Sequence, residues 1–138
     1  MTLWTCETCG RRFGRTGQSH ECAPALSLEE YFATGPARER PIFDAVNAVV
    51  APLGAVHVEP VSVGIFFKRS RTFAQLRPMT RWVVLSFVLA RKLESPRLAR
   101  KVMGEGRRWY HAVNLTGPED VDEQVRAWLT EAYLADAP

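Results

Sequence analysis

The chain has 138 residues, of which 46% are hydrophobic and 24% charged, and its net charge is +3. A chain of this length can bury about 68–70% of its unfolded surface, so it needs no disulfide framework to fold. Its longest strongly apolar run, Trp82 to Ala90, is too short for a bilayer, which takes about 20 residues, and Met1-Thr2-Leu3-Trp4 lacks a basic-then-apolar leader, so a cytoplasmic setting is expected.

The first motif is Cys6-x-x-Cys9, ten intervening residues, then His20-x-Cys22, which uses all three cysteines of the chain. Three thiolates and an imidazole form a Cys3His set, a standard closed tetrahedral ligand set for structural Zn2+. Gly10 follows the Cys-x-x-Cys turn, where a residue without a Cβ can take positive φ and let backbone N–H groups face the sulfurs. Trp4 and Phe13 flank the turn as an apolar skirt. His20 and Cys22, two apart, point the same way if that segment is extended. A redox Cys6/Cys9 pair would need a βαβ context that is missing, and an iron–sulfur cluster would prefer a fourth thiolate. Structural zinc on Cys6, Cys9, His20 and Cys22 is the expectation, in a zinc-knuckle-like module over 1–24. Arg11, Arg12 and Arg15, in the loop it organises, are the part of the module that could reach a partner such as nucleic acid or another anion.

An α+β domain over 25–138 should follow. Ser27-Leu28-Glu29-Glu30 fits a capping box, so a short helix is expected up to Gly35-Pro36. From Pro41, the residues Ile42, Phe43, Val46, Val49, Val50 and Leu53 recur at helical spacing as far as Gly54. The period then changes to two over Ala55 to Glu59, Val61 to Lys68, Thr72 to Pro78 and Arg81 to Arg91, with connections too short for crossover helices. Ser95-Pro96 reads as the start of a short basic helix to about Met103, and Arg107 to Leu115 as a last strand. A final helix starts from Gly117-Pro118-Glu119-Asp120 and places Val121, Val125, Trp128, Leu129, Ala132 and Tyr133 on one face. The expected architecture is a mainly antiparallel sheet of about four to five strands with helices on one face, plus the N-terminal zinc-binding module.

Charge is unevenly spread: Lys68 to Arg108 carries +10, and Trp109 to the end −5. This favours an anionic partner for the middle of the chain, unless the acidic C-terminal helix offsets it. Phe66 with Lys68, and Phe73 with Gln75 and Arg77, could share a sheet face that interleaves aromatics with cations, joined by Arg69, Arg71, Arg81, Arg107 and Arg108. Arginines neutralise phosphates and exposed aromatics stack on bases, so nucleic acid is a candidate partner. The same alternation could instead bury Phe66 and Phe73 under the helices. An intracellular protein partner is a second reading, and a small-ligand site or enzyme using His111 and Glu59 a third. The pairs Glu29/Glu30, Glu119/Asp120 and Asp122/Glu123 fall in first turns of helices, where negative charge complements the dipole, so they read as caps rather than catalysts.

The run Trp4-x-Cys6-x-x-Cys9-Gly10-Arg11-x-Phe13 with Gln18-x-His20-x-Cys22, then Tyr31-Phe32, Phe43, Val56 to Pro60, Phe67-Lys68, Phe73-Ala74 and Arg97-Leu98, resembles bacterial proteins carrying the domain of unknown function 5655. His111-x-Val113-x-Leu115, Asp120-Val121-Asp122-Glu123, Trp128-Leu129 and Ala132-Tyr133 continue the likeness. The resemblance implies an α+β domain from about Ser27 onward without an assigned activity, with the cysteine module as an N-terminal extension. Fusion of some relatives to nuclease-like or other intracellular domains implies a non-enzymatic accessory module.

Overall fold

The computed structural model describes residues 3–138. Met1 and Thr2, the first residues of the expected 1–24 module, lie outside them. Strands β1 (Trp4–Thr5) and β2 (Arg12–Phe13) pair as a small antiparallel ribbon around the cysteine turn. A capping box starts α1 (Leu28–Phe32): the Glu30 amide donates to Ser27 Oγ at 3.0 Å and the Ser27 amide donates to Glu30 Oε1 at 2.9 Å. Helix α2 (Glu39–Val50) turns Ile42, Phe43, Val46 and Val50 inward, then ends in a 3-10 turn and at Gly54, whose φ is +148°.

Six strands make the main sheet: β3 (His57–Val61), β4 (Gly64–Lys68), β5 (Thr72–Pro78), β6 (Val83–Leu89), β7 (Met103–Glu105) and β8 (Arg108–Leu115). All neighbours are antiparallel, in the order β3-β4-β5-β6-β8-β7. Asp122 caps α3 (Glu123–Ala135) by accepting from the Val125 amide at 3.0 Å. Helices α2 and α3 cover one face, where Ile65, Phe67, Leu76, Leu85, Phe87, Val113 and Leu115 meet Val46, Val50, Val125, Trp128 and Leu129. Each such side chain contributes about 1.5–3 kcal/mol on full burial. Among the described residues no helix is long and apolar enough to cross a membrane.

Two expectations need correction. The basic helix from Ser95 to about Met103 does not form, and the sheet has six strands rather than four or five. The Leu98 amide turns back to the Ser95 carbonyl at 3.2 Å, and the Ala99 amide donates to the Ala112 carbonyl at 2.7 Å, which draws the segment along the edge of β8. An isolated helix this short is marginal in water, whereas that edge offers ready main-chain partners.

A further correction concerns β5. Phe67 pairs with Ala74 but Lys68 with Thr72, so Phe73 is the extra residue of a β-bulge. A bulge breaks the alternation of faces. Phe73 turns into the core, edge-on to Tyr133 with ring centroids 5.5 Å apart, and does not share a face with Gln75 and Arg77.

Candidate metal centre and adjoining groove

The ligand atoms of Cys6, Cys9, His20 and Cys22 all lie within 4.8 Å of one another. Cys9 Sγ and Cys22 Sγ each lie 3.4 Å from His20 Nε2, and Cys6 Sγ lies 4.0 Å from Cys22 Sγ. A tetrahedron with metal–sulfur and metal–nitrogen bonds of ~2.3 and ~2.0 Å has edges of about 3.5–3.8 Å, so the four residues can hold a metal ion as they stand. The local chain explains the arrangement. Gly10, at φ +75°, lets its amide donate to the Cys6 carbonyl at 2.9 Å, while the Cys6 amide donates to the Arg11 carbonyl at 2.8 Å. His20 Nδ1 lies 2.7 Å from the Gln18 carbonyl, which fixes the tautomer with Nε2 free to ligate. The expected skirt is present, with the Phe13 ring centroid 4.1 Å from that of His20 at an interplanar angle of 31°, and Trp4 6.2 Å from Phe13. Amides of Cys9 and Thr8 lower the Cys6 thiol to about 6, while desolvation and the neighbouring Cys6 and Cys9 sulfurs push Cys22 up to about 11. A divalent cation resolves that conflict by stabilising every thiolate together.

The module is fastened to the sheet through Glu59, mid-strand in β3 and 1% exposed. Its carboxylate accepts from Arg11 Nε at 2.7 Å, the Arg12 amide at 2.9 Å and Lys68 Nζ at 2.9 Å, and lies 3.1 Å from His57 Nε2. Burial alone would raise the Glu59 carboxyl, but hydrogen bonds from His57, the Arg12 amide, Arg11 and Lys68 outweigh it and hold it well below the usual carboxylate range. Lys68 also donates to the Arg12 carbonyl and sits 4.2 Å from the Phe13 ring centroid. Arg11 lies 5.2 Å from the centroids of both Phe13 and Phe66. With a divalent ion bound, charge would balance as well: three thiolates, a neutral imidazole and the ion would carry −1, which with Glu59 would match the two cations Arg11 and Lys68. On sequence alone these two count as candidate partner-binding cations and Glu59 as a catalytic alternative. A carboxylate between Val58 and Pro60 in a strand was the available signal for a buried ion-pair anchor.

The remaining predicted cations separate into groups. Arg15, Arg71, Arg107 and Arg108 line one groove of about 1040 Å³, where the metal loop, the β4–β5 turn and the β7–β8 hairpin meet, together with Gln18 and Tyr110. Tyr110 is 39% exposed, and the Arg108 guanidinium carbon lies 5.7 Å from its ring centroid. Arg69 instead folds over Tyr133, 4.3 Å from that ring, and donates to its carbonyl at 3.0 Å. Arg77 and Arg81 are exposed at the opposite end of β5, and the Arg12 side chain is exposed on the module. The broad face through Phe66, Lys68, Phe73 and Arg77 is therefore not an exposed surface: Lys68 and Phe73 are buried, and Arg11 of the module lies over Phe66. The acidic helix offsets part of the charge, through Arg91–Glu131 and Arg97–Asp122 pairs at 2.8 Å.

Gly14 holds the groove wall together, because it passes so close to Ser70 that a Cβ would collide with the Ser70 carbonyl. Gly14→Ala should lower stability by about 1–3 kcal/mol through that overlap, measured by thermal or denaturant unfolding.

His111 lies in the core, 2% exposed and stacked 5.3 Å from Phe87, with Nε2 accepting from the Leu93 amide at 2.9 Å. Burial shifts it down, toward the neutral form. Neither His111 nor Glu59 lines the groove. Two of the acidic pairs cap helices, through Glu30 and Asp122 as above; in the third, Asp120 Oδ2 accepts from the Thr116 amide and hydroxyl, both at 2.7 Å, without capping its 3-10 turn.

An antiparallel six-stranded sheet with helices on one face, joined to a Cys3His cluster, defines an α+β domain bearing a candidate metal module. Residues 28–135 match the family model of the domain of unknown function DUF5655, and the chain belongs to that family. Neither curated proteins nor solved structures give a match.

Proposed function

We propose that the protein is a zinc-held accessory module that acts by binding, and that its groove takes nucleic acid. The observation that carries this reading is the convergence of Arg15, Arg71, Arg107 and Arg108 from three chain segments on one groove beside an exposed tyrosine. Arg15, Arg71 and Arg107 form no ion pair among the described residues, so their charge is available to an anion. Guanidinium groups neutralise phosphates with release of counterions, and Tyr110 beside Arg108 offers a base a stacking surface. Zinc is the metal that a Cys3His set favours, and four protein ligands close the site, which makes its role structural. The metal holds the module, the module holds Arg15 and Gln18, and these form one wall of the groove.

A fluorescent single-stranded oligonucleotide tests the reading. Log affinity should fall linearly with log salt, with a slope of about −0.7 per phosphate neutralised. Arg71→Glu with Arg107→Glu should weaken binding at least about tenfold while leaving the melting temperature nearly unchanged. No binding at low salt, or binding indifferent to both reversals, would overturn the proposal. Capture of an acidic protein through the same arginines, without oligonucleotide binding, would replace it with a protein-interaction role.

A further inference from the structure

The turn between β4 and β5 already holds an anion. Amides of Ser70 and Arg71 both donate to Asp136 Oδ2 at 3.0 Å. The Ser70 hydroxyl lies 3.1 Å from Oδ1 and 2.7 Å from the Asp136 carbonyl oxygen. Two successive main-chain N–H groups converging on one oxygen form the kind of concavity that binds phosphate, and a hydroxyl beside them adds a donor.

Asp136 is buried yet makes no ion pair among the described residues. It also sits at the C-terminal end of α3, its amide donating to the Ala132 and Tyr133 carbonyls at 3.2 Å, where the negative end of the helix disfavours a carboxylate. Ser70, Arg71 and Asp136 all line the basic groove. Cations there and in the turn that make no ion pair among the described residues, namely Arg15, Arg69, Arg71, Arg107 and Arg108, outnumber the acids Asp136 and Glu105. Such a site suits an anion with more charge and more acceptor oxygens than one carboxylate provides.

We infer that the Arg69-Ser70-Arg71 turn is the phosphate-binding element of the groove, and that Asp136 is its tethered occupant, displaced when a phosphate enters. The inference rests on the groove reading above for its natural ligand, the backbone phosphate of a nucleic acid. The turn itself would accept a free phosphate by the same donors. Tethering gives Asp136 a high effective concentration, so weak anions are turned away and the resting groove is attenuated.

Asp136→Asn keeps the shape and one acceptor but removes the competing charge. Glu105→Gln makes the same charge change in the same groove away from the turn. Oligonucleotide affinity should rise about tenfold in Asp136→Asn and less than about twofold in Glu105→Gln. Inorganic phosphate should raise the melting temperature of Asp136→Asn more than chloride of equal ionic strength does, and adding Ser70→Ala should weaken that gain. In the unaltered protein, pyrophosphate should shift the Ser70 and Arg71 amide resonances.

Equal affinity gains in the two variants, with no phosphate-specific stabilisation and no amide shifts, would make Asp136 a fastener of α3 only. The nucleic-acid reading would survive that result. Phosphate-specific stabilisation without oligonucleotide binding to any variant would support the turn and overturn the nucleic-acid reading instead.

Discussion

Protein stripped of metal by a chelator is expected to lose both its N-terminal module and most of its oligonucleotide binding. The ribbon around the cysteines consists of two strands of two residues each, with Trp4 and Phe13 as its main apolar mass. That is far below what a free-standing unit needs, and structural zinc supplies about 10–16 kcal/mol of apparent folding free energy in modules of this size. Without the ion, the loop from Gly14 to Gln18 keeps its attachment at β2 but loses the one at His20. Arg15 and Gln18 then leave the groove.

Purified protein should carry one zinc per chain, and Cys9→Ser should abolish stoichiometric binding and weaken oligonucleotide affinity by at least about tenfold. By linkage, saturating oligonucleotide should tighten zinc binding by the same factor, read as slower or less complete extraction. The sheet and its helices should survive, because their core is built from residues 42–133. Metal-free protein that melts and binds as before would sink the idea.

The second large effect is at Glu59. Removing its carboxylate leaves Arg11 and Lys68 buried against each other without their shared anion. Breaking a buried pair by deleting one partner typically costs about 3–5 kcal/mol, so Glu59→Ala should approach the limit of what a domain of this size tolerates. Glu59→Gln should cost less, since an amide still accepts from the Arg12 N–H. Combining Glu59→Gln with Lys68→Met should cost less than the sum of the two changes, because the second removes the charge that the first strands.

The pH dependence follows from the same contacts. The folded-state pKa of Glu59 is depressed, so its contribution is present in full above the unfolded value of about 4.3 and is lost as pH falls from there toward the folded value. Acid titration of unfolding free energy should therefore fall more steeply below about pH 4.3 in the unaltered protein than in Glu59→Gln. Parallel curves would remove Glu59 from the account.

Features that depend on near neighbours in the chain were legible beforehand. The metal cluster is set by Cys6, Cys9, His20 and Cys22 spacing and by Gly10, all within one loop. Ser27 with Glu30 and the inward stripe of α3 are likewise local patterns of hydrogen bonding and periodicity. Strand β5 occupies Thr72–Pro78, the span its alternation marked.

Where the structure departs from these expectations, pairing with another segment is the cause, whether the adjoining strand or a distant one. Met103–Glu105 is a strand because the edge of β8 is there to pair with it. Phe73 leaves its expected face because one extra residue in β5 shifts the register against β4. Lys68 and Arg11 look like solvated cations until Glu59, 9 and 48 residues away in sequence, brings them together.

The sequence by itself determined the fold class, the existence of helices α1, α2 and α3 and the donor set for a metal, since these follow from spacing, capping and period. Only the tertiary structure decided which basic residues are surface and which are anchors. A cation's environment depends on where the carboxylates and rings of other segments come to rest. Desolvation and pairing, not residue type, separate Lys68, buried and paired with Glu59 at the groove's base, from Arg71, exposed in the same groove.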